Sequence, residues 1–164
     1  EPANSIGPLV NEAAVEKVDK QVQDALAKGA TLHTGGQRLR GEGLDKGHFY
    51  APTMISAITP DMLIYREETF GPVAAVVPFD DEDDVIAMAN DTSYGLAAYV
   101  YTQNLSRAVR SFEALHFGII GINDINPTSA AAPFGGMKES GLGREGAREG
   151  IEEYLETKLG GFSV

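Results

Sequence analysis

Three apolar runs of strand length, residues 73–77, 97–101 and 119–122, alternate with two stretches of helical pattern, and this order constrains the fold more than any other feature. A continuous apolar run reads as a strand buried on both faces, which antiparallel hairpins seldom require. Between the first two runs, acidic residues 80–84 lead into Val85, Ile86 and Ala89. Between the second and third, Ser106 can cap a helix carrying Val109, Phe112 and Leu115, stopped by Gly118. Strand, helix, strand, helix, strand makes consecutive β-α-β units, so the spacing predicts an α/β fold: a parallel sheet with flanking helices and right-handed crossovers. Ligands of such sheets gather at the carboxyl ends of the strands, which places the expected site in the loop 123–134.

The flanks are less regular. From Asn11, a possible N-cap, Val15, Val18, Val22 and Leu26 recur at helical spacing, and Gly29 after Lys28 is a stop signal. Leu32 and His33 fit a short strand, residues 38–47 a polar surface loop, and residues 49–55 a second strand that Pro52 demotes to an edge or a bulge. Beyond Phe134, Gly135, Gly136, Gly141, Gly143, Gly146 and Gly150 punctuate a segment with Lys138, Arg144 and Arg148, where the backbone must turn tightly or approach something closely. Ile151, Tyr154, Leu155 and Leu159 follow, and residues 160–164 read as an extended arm that needs a partner to be ordered.

Composition removes several function classes. The 164 residues, 43% of them hydrophobic, suffice for one globular core or a large part of one. A net charge of −11, from 13 basic and 24 acidic residues, repels a phosphate backbone, so no nucleic-acid partner is expected. Cysteine is absent, which excludes a disulfide, a thiolate metal site and a thiol nucleophile within this chain. The apolar runs are too short to span a bilayer, and a cytoplasmic protein is the expectation. The first residue is Glu rather than Met, in keeping with a piece of a longer polypeptide.

Each candidate site has a plain alternative. Gly141-Leu142-Gly143-Arg144-Glu145-Gly146 satisfies the G-x-G-x-x-G expression. Residues 134–140 are not a buried strand, however, and Glu145 would bring negative charge towards a pyrophosphate, so a structural glycine turn is preferred. Residues 80–84 lack the Gly and Glu of a calcium loop, with Val85 and Asp91 in those places, and suit the first turn of a helix. His33, His48 and His116 fall in separate elements without ligand spacing, and no metal site is predicted. Glu67 and Glu68 point to opposite sides if the chain is extended there, which argues against a catalytic acid-base pair. One carboxylate beside Phe70, Gly71 and Pro72 suits a different role, since it can accept both hydroxyls of a ribose while the ring packs on a cofactor.

Two segments carry a resemblance. Glu67-Glu68-Thr69-Phe70-Gly71-Pro72-Val73 and the stretch from Pro133-Phe134-Gly135-Gly136-Met137-Lys138 to Ser140-Gly141-Leu142-Gly143-Arg144-Glu145-Gly146 resemble the E-E-x-F-G-P and P-F-G-G-x-K-x-S-G-x-G-R-E motifs of the aldehyde dehydrogenase superfamily. The intervening Asn90-Asp91-Thr92-Ser93-Tyr94-Gly95-Leu96 fits as well, and the similarity runs from about Gly7 onward. Residues 150–158 look most like the semialdehyde branch, succinate-semialdehyde dehydrogenases in particular.

The resemblance implies the C-terminal part of the catalytic domain over residues 1–146 and a helix and arm for oligomerisation over 147–164. It implies that Glu68 binds the nicotinamide ribose hydroxyls of NAD or NADP and that Phe70 packs near the nicotinamide. Phe134 would line the funnel where substrate meets cofactor, and Ser129 would hydrogen-bond the distal carboxylate of a short acidic semialdehyde. Asn126-Pro127-Thr128 departs from the Ile-Ser pattern expected before Ser129. Arg144 and Glu156 would pair charges near the interface of a homodimer or homotetramer.

The family's nucleophilic Cys, general-base Glu, oxyanion-hole Asn and phosphate loop would all lie upstream of Glu1, so no catalytic residue is assigned here and the chain alone is expected to be inactive. The whole enzyme would add a thiolate to the aldehyde carbon, pass hydride to NAD(P)+ and hydrolyse the thioester to the acid. Two rivals stand beside this reading: oxidation of glutarate or 2-oxoglutarate semialdehyde, and a non-catalytic α/β binding or assembly module.

Overall fold

Asn11 opens helix α1, Glu12–Ala27, by accepting the Ala14 amide on its side-chain oxygen at 2.9 Å. The computed structural model describes residues 6–41 and 43–163, so the last residue of the expected arm, Val164, lies outside the described residues. They form two compact units, one ending at Phe79 and the other beginning at Asp80.

In the first unit, α1 buries Val15, Val18, Gln21, Val22 and Ala25, a stripe at helical spacing. Val15, Val18 and Val22 pack with Tyr50, and Ala25 packs with Ile55, Ile58 and Met62. Burying each of these larger apolar side chains contributes about 1.5–3 kcal/mol, and they form this unit's main source of stability. Polar ties fix the edges of the stripe. Tyr50 donates to Asp19 at 3.0 Å, and burial pushes its hydroxyl well above the ordinary tyrosine value. Asp24 accepts the Leu63 amide at 2.8 Å and pairs with Lys28 at 2.9 Å, seating the short helix α2, Leu63–Arg66, on the end of α1.

Strands β1 (Thr31–Thr34), β2 (Thr53–Ser56) and β3 (Val73–Val76) form one sheet in that order, β1 antiparallel and β3 parallel to β2. Pro52 therefore does not make an edge strand. It stands just before β2, where its missing N–H removes nothing from the ladder, and β2 is central.

The second unit contains α3 (Glu82–Asn90), β4 (Tyr94–Gly95), β5 (Ala97–Val100), α4 (Leu105–Ala114), β6 (Ile119–Ile122), β7 (Met137–Lys138) and α5 (Glu149–Glu152). Strands β5 and β6 are parallel and joined through α4, giving the expected β-α-β unit, while β4 pairs antiparallel with β7. The α/β class holds, and within each unit the apolar runs have these partners: β5 pairs with β6. β3 takes β2 as its partner, in register from Thr53 opposite Val73 to Ser56 opposite Val76. β3 is also not buried on both faces as its apolar run suggested, since Ala74, Ala75 and Val76 are exposed. An apolar run marks a strand but names neither its neighbour nor its cover.

The helix caps also differ from expectation. α4 is capped by Asn104, whose side chain accepts the Arg107 amide at 3.0 Å, not by Ser106. In α3, Asp81 accepts the Asp83 and Asp84 amides at 2.8 and 3.1 Å, so one member of the acidic run is a cap, Glu82, Asp83 and Asp84 occupy the first turn, and Asp80 precedes the helix. No helix among the described residues is long and apolar enough to cross a membrane.

Asn90, the last residue of α3, joins α3 to the end of α4. Its side chain donates to the Ala114 carbonyl at 2.9 Å and accepts the His116 amide at 2.8 Å. At the other end of the same helices, Glu82 accepts from Arg107 at 3.0 Å and from Arg110 at 2.9 Å. Arg110 first, and Arg107 second, hold the Glu82 carboxyl below its ordinary value of 4.5.

Replacing Asn90 by Ala leaves a carbonyl and an amide without their partner, and urea unfolding should show a loss of about 1–3 kcal/mol. For Glu82 the folded pKa lies below the unfolded one, so its stabilising contribution is full above pH 4.5 and fades as pH falls through the folded value. Arg110→Ala should move the Glu82 titration, followed by carboxyl NMR shifts, up towards 4.5; an unmoved titration would show that Arg110 is not the cause.

Candidate functional site

The expected site residues fall in both units: Glu68 and Phe70 in the first, and Ser129, Phe134, Arg144 and Glu156 in the second. In the first unit, the chain leaves α2 as the Glu67 amide donates to Leu63 at 2.8 Å, and it enters β3 through a tight turn in which Gly71 donates to the Thr69 carbonyl at 3.0 Å. Glu68 lies in this loop with its residue exposed, and Phe70 is 78% exposed. The backbone beneath this exposed ring is fixed from another element.

The fixing group is Gln21 of α1, which is fully buried. Its Nε2 donates to the Glu67 carbonyl at 3.4 Å and to the Glu68 carbonyl at 3.3 Å. Consecutive carbonyls of a regular strand point to opposite sides, so both reaching one nitrogen means that the chain turns here and is not extended through Glu68.

In the second unit, β6 ends at Ile122, and the next residue, Asn123, takes a left-handed φ of 53°. Its side chain accepts the Thr102 amide at 2.9 Å and donates to the Thr102 carbonyl at 2.8 Å, holding the turn. The loop then doubles back. Asn126 donates its amide to Asp124 at 2.8 Å, and Thr128 donates to the Asn126 side chain at 2.9 Å.

Pro127, Thr128, Ala132, Pro133 and Phe134 face Gly118, Ile119 and Ile120 across a cavity of about 160 Å³. This hollow lies beside the start of β6, not beyond its carboxyl end, because the loop returns along the strand it left. Phe134 is thus in the wall of this cavity. Ser129 sits exposed in the same loop, its carbonyl accepting the Ala132 amide at 3.1 Å.

The glycine-rich segment is built to dock. Phe134 and Glu145 exchange amide-carbonyl bonds of 2.8 and 2.7 Å, closing the segment into a hairpin-like bridge. Lys138 has a left-handed φ of 56°, and its ammonium donates to the Asn90 carbonyl at 3.2 Å and the Thr92 carbonyl at 3.0 Å. A cation at the carboxyl end of α3 also complements the helix dipole. Ser140 accepts the Gly95 amide at 2.9 Å, and Glu139 donates its amide to Ser93 at 3.0 Å. The K-E-S triplet therefore fastens to residues 90–96: two of the segments that carried the resemblance hold each other.

Gly118 permits the same contact from below, since a Cβ there would strike the Gly135 carbonyl. Arg144 donates to the Gly136 and Gly143 carbonyls at 2.8 and 2.6 Å, and Glu156 is exposed beyond α5. A Cβ on Gly143 would meet the Glu153 carboxylate, so this glycine makes room for an acidic side chain and not for a phosphate. That disposes of the G-x-G-x-x-G expression.

The sequence reading missed Gln21 altogether and left Lys138 and Ser140 without roles. For Gln21 a signal existed: it is a polar residue at a core phase of α1, between Val18 and Val22. Lys138 and Ser140 carried no local signal, because their partners lie 46 and 45 residues away. Among the described residues no group of three His, Asp or Glu side chains could hold a metal ion.

Residues 1–159 match the family model described as "Aldehyde dehydrogenase family". A succinate-semialdehyde dehydrogenase, mitochondrial, from Oryza sativa subsp. japonica is 51% identical over 158 residues, which are 96% of this chain and 29% of the relative. A non-phosphorylating aspartate-semialdehyde dehydrogenase from Halomonas elongata is 50% identical over 153 residues, 93% of this chain and 30% of the relative. Among solved structures, betaine aldehyde dehydrogenase from Staphylococcus aureus in complex with NAD+ superposes with a TM-score of 0.89 at 40% identity, covering 96% of this chain and 31% of that one. The chain spans about three-tenths of the length of the curated relatives it matches. With its motifs interlocked as the geometry shows and its match extending over nearly its whole length, the chain belongs to the aldehyde dehydrogenase family.

Proposed function

We propose that this chain is the C-terminal part of an NAD(P)-dependent aldehyde dehydrogenase that oxidises a short acidic semialdehyde, with succinate semialdehyde the favoured substrate. The observation that carries the reading is the anchored loop presenting Glu68 and the exposed ring of Phe70. These two residues fit a dinucleotide: a carboxylate accepts the paired hydroxyls of a ribose, and an aromatic face packs on the nicotinamide. When bound, the dinucleotide accepts hydride from the carbon being oxidised.

The chain's own contribution is binding and orientation. It has no cysteine, so the nucleophile of acyl transfer is supplied by another part of the enzyme, and this chain alone is inactive. Glu68 holds the ribose, Phe70 limits the tilt of the nicotinamide, and the wall containing Phe134 excludes water from the substrate path. Ser129 donates its hydroxyl to the distal carboxylate of the substrate.

Two relatives of nearly equal identity bear the names of different acidic semialdehydes, and the distal carboxylate that these compounds share is the feature proposed for recognition. The tail supports self-association. Tyr154, Leu159 and Phe162 are 87%, 97% and 95% exposed, a pattern suited to an arm covered by another subunit in a homodimer or homotetramer, with Arg144 and Glu156 near that contact.

Glu68→Gln in the full-length enzyme removes a charged acceptor, and cofactor Kd or the rate of hydride transfer should worsen about tenfold or more with an unchanged melting temperature. Unaltered binding and kinetics would remove the cofactor assignment. Ser129→Ala should lower kcat/KM for succinate semialdehyde about tenfold more than for an uncharged aldehyde of equal length, because only the former loses a charge-assisted hydrogen bond. Equal losses on both substrates would count against the carboxylate role.

A further inference from the structure

We propose that Gln21 is a positioning residue: by holding the carbonyls of Glu67 and Glu68 it aims the Glu68 carboxylate at the cofactor. The inference rests on the cofactor role proposed for Glu68 and adds a residue on another element that makes that role possible.

Gln21 is 0% exposed and sits on the stripe of α1 that otherwise buries Val15, Val18, Val22 and Ala25. By packing alone an apolar side chain of similar volume would serve better there, since a buried amide must find partners or lose stability. Only half of it does. Its Nε2 has two N–H groups and two acceptors, the consecutive carbonyls at 3.4 and 3.3 Å, while its Oε1 is buried without a hydrogen-bond partner. The orientation of the amide follows from this, because turning it over would aim its oxygen at two carbonyl oxygens.

On the loop itself, the Thr69 hydroxyl is likewise buried without a partner. Two unsatisfied polar groups at one short loop mark a place where the sequence departs from what packing favours, and such departures cluster where function needs a fixed geometry.

The geometry of the fork explains the benefit. The Glu68 side chain leaves the backbone between the two peptide groups whose carbonyls are flanked by Gln21 and the following turn at Gly71. With both carbonyls held, the backbone of Glu68 is fixed before the ligand arrives, and its exposed side chain has only its own rotamers left to order. Preorganisation of this kind raises affinity by removing the ordering cost from the binding step. Both contacts are long, so the effect expected from their loss is moderate.

The test is a double-mutant cycle in the full-length enzyme, with Gln21→Met, Glu68→Gln and the two combined, read as the Kd of NAD(P)H by fluorescence titration alongside melting temperature. Methionine keeps the length and burial of the side chain and removes both donors. Gln21→Met should raise Kd about five- to tenfold, Glu68→Gln should raise it more, and the double variant should be no worse than Glu68→Gln alone, because Gln21 acts only through Glu68. Should the Met variant fail to fold, Gln21→Asn, which withdraws the amide by one methylene, replaces it in the same cycle.

A Kd that Gln21 variants leave unchanged while the melting temperature falls would show a purely structural side chain and overturn the inference. Losses that multiply in the double variant would overturn it too, leaving the Glu68 assignment intact. If Glu68→Gln itself leaves Kd unchanged, the cofactor reading fails and this inference falls with it.

Discussion

The unit that begins at Asp80 depends on one asparagine and one lysine. Asn90 uses its side-chain amide to join the ends of α3 and α4, and its own carbonyl accepts the Lys138 ammonium. Through these bonds α3, α4 and β7 meet at one residue. The arrangement explains why Lys138 tolerates a left-handed backbone: two carbonyls and the ring of Phe117, 5.5 Å from the ammonium, hold the side chain where that conformation places it. With β7 so fixed on β4, the loop that precedes it has its far end tied, and Phe134 is delivered to the wall of the cavity beside β6.

The same logic operates in the first unit with different chemistry. There α1 provides an apolar stripe, and the polar interruption in that stripe reaches the loop that carries Glu68. In both units a buried or half-buried side-chain amide satisfies backbone groups of a loop that no regular ladder serves. Loops need this, since backbone amides and carbonyls taken from water without partners are costly. An amide donates from its nitrogen and accepts on its oxygen, so Asn90 serves a carbonyl and an N–H together, whereas a carboxylate can only accept.

How far the sequence could reveal this depends on the range of the interaction concerned. Helix α1 was legible from Asn11 to Gly29 because periodicity, cap and stop are local. The β5-α4-β6 unit was legible for the same reason. The partner of β3 was not, because four apolar residues carry no record of which strand lies beside them, and β2 precedes them by about twenty positions. Ser106 was preferred to Asn104 as a cap because both residue types cap helices, and only the geometry shows whose oxygen meets the Arg107 amide. The two motif segments could be recognised as belonging to one family, yet nothing in either sequence says that Ser140 meets Gly95 or that Lys138 meets Thr92.

Once contacts are known, the motif residues sort into two physical kinds. Asn90, Lys138, Ser140 and Arg144 make hydrogen bonds to backbone groups of their own unit, so their chemistry is consumed in holding the fold. Glu68, Phe70, Ser129 and Phe134 are exposed on backbone that other residues hold in place. Exposure alone does not mark a site. Leu159 and Phe162 are more exposed than Phe70 but follow α5 on a stretch without regular structure, where a side chain has no set direction until something covers it. On the reading proposed above, exposure on the anchored backbone of the loop 67–70 suits groups that meet a ligand, whereas exposure along the irregular C-terminal arm suits a surface that a partner covers.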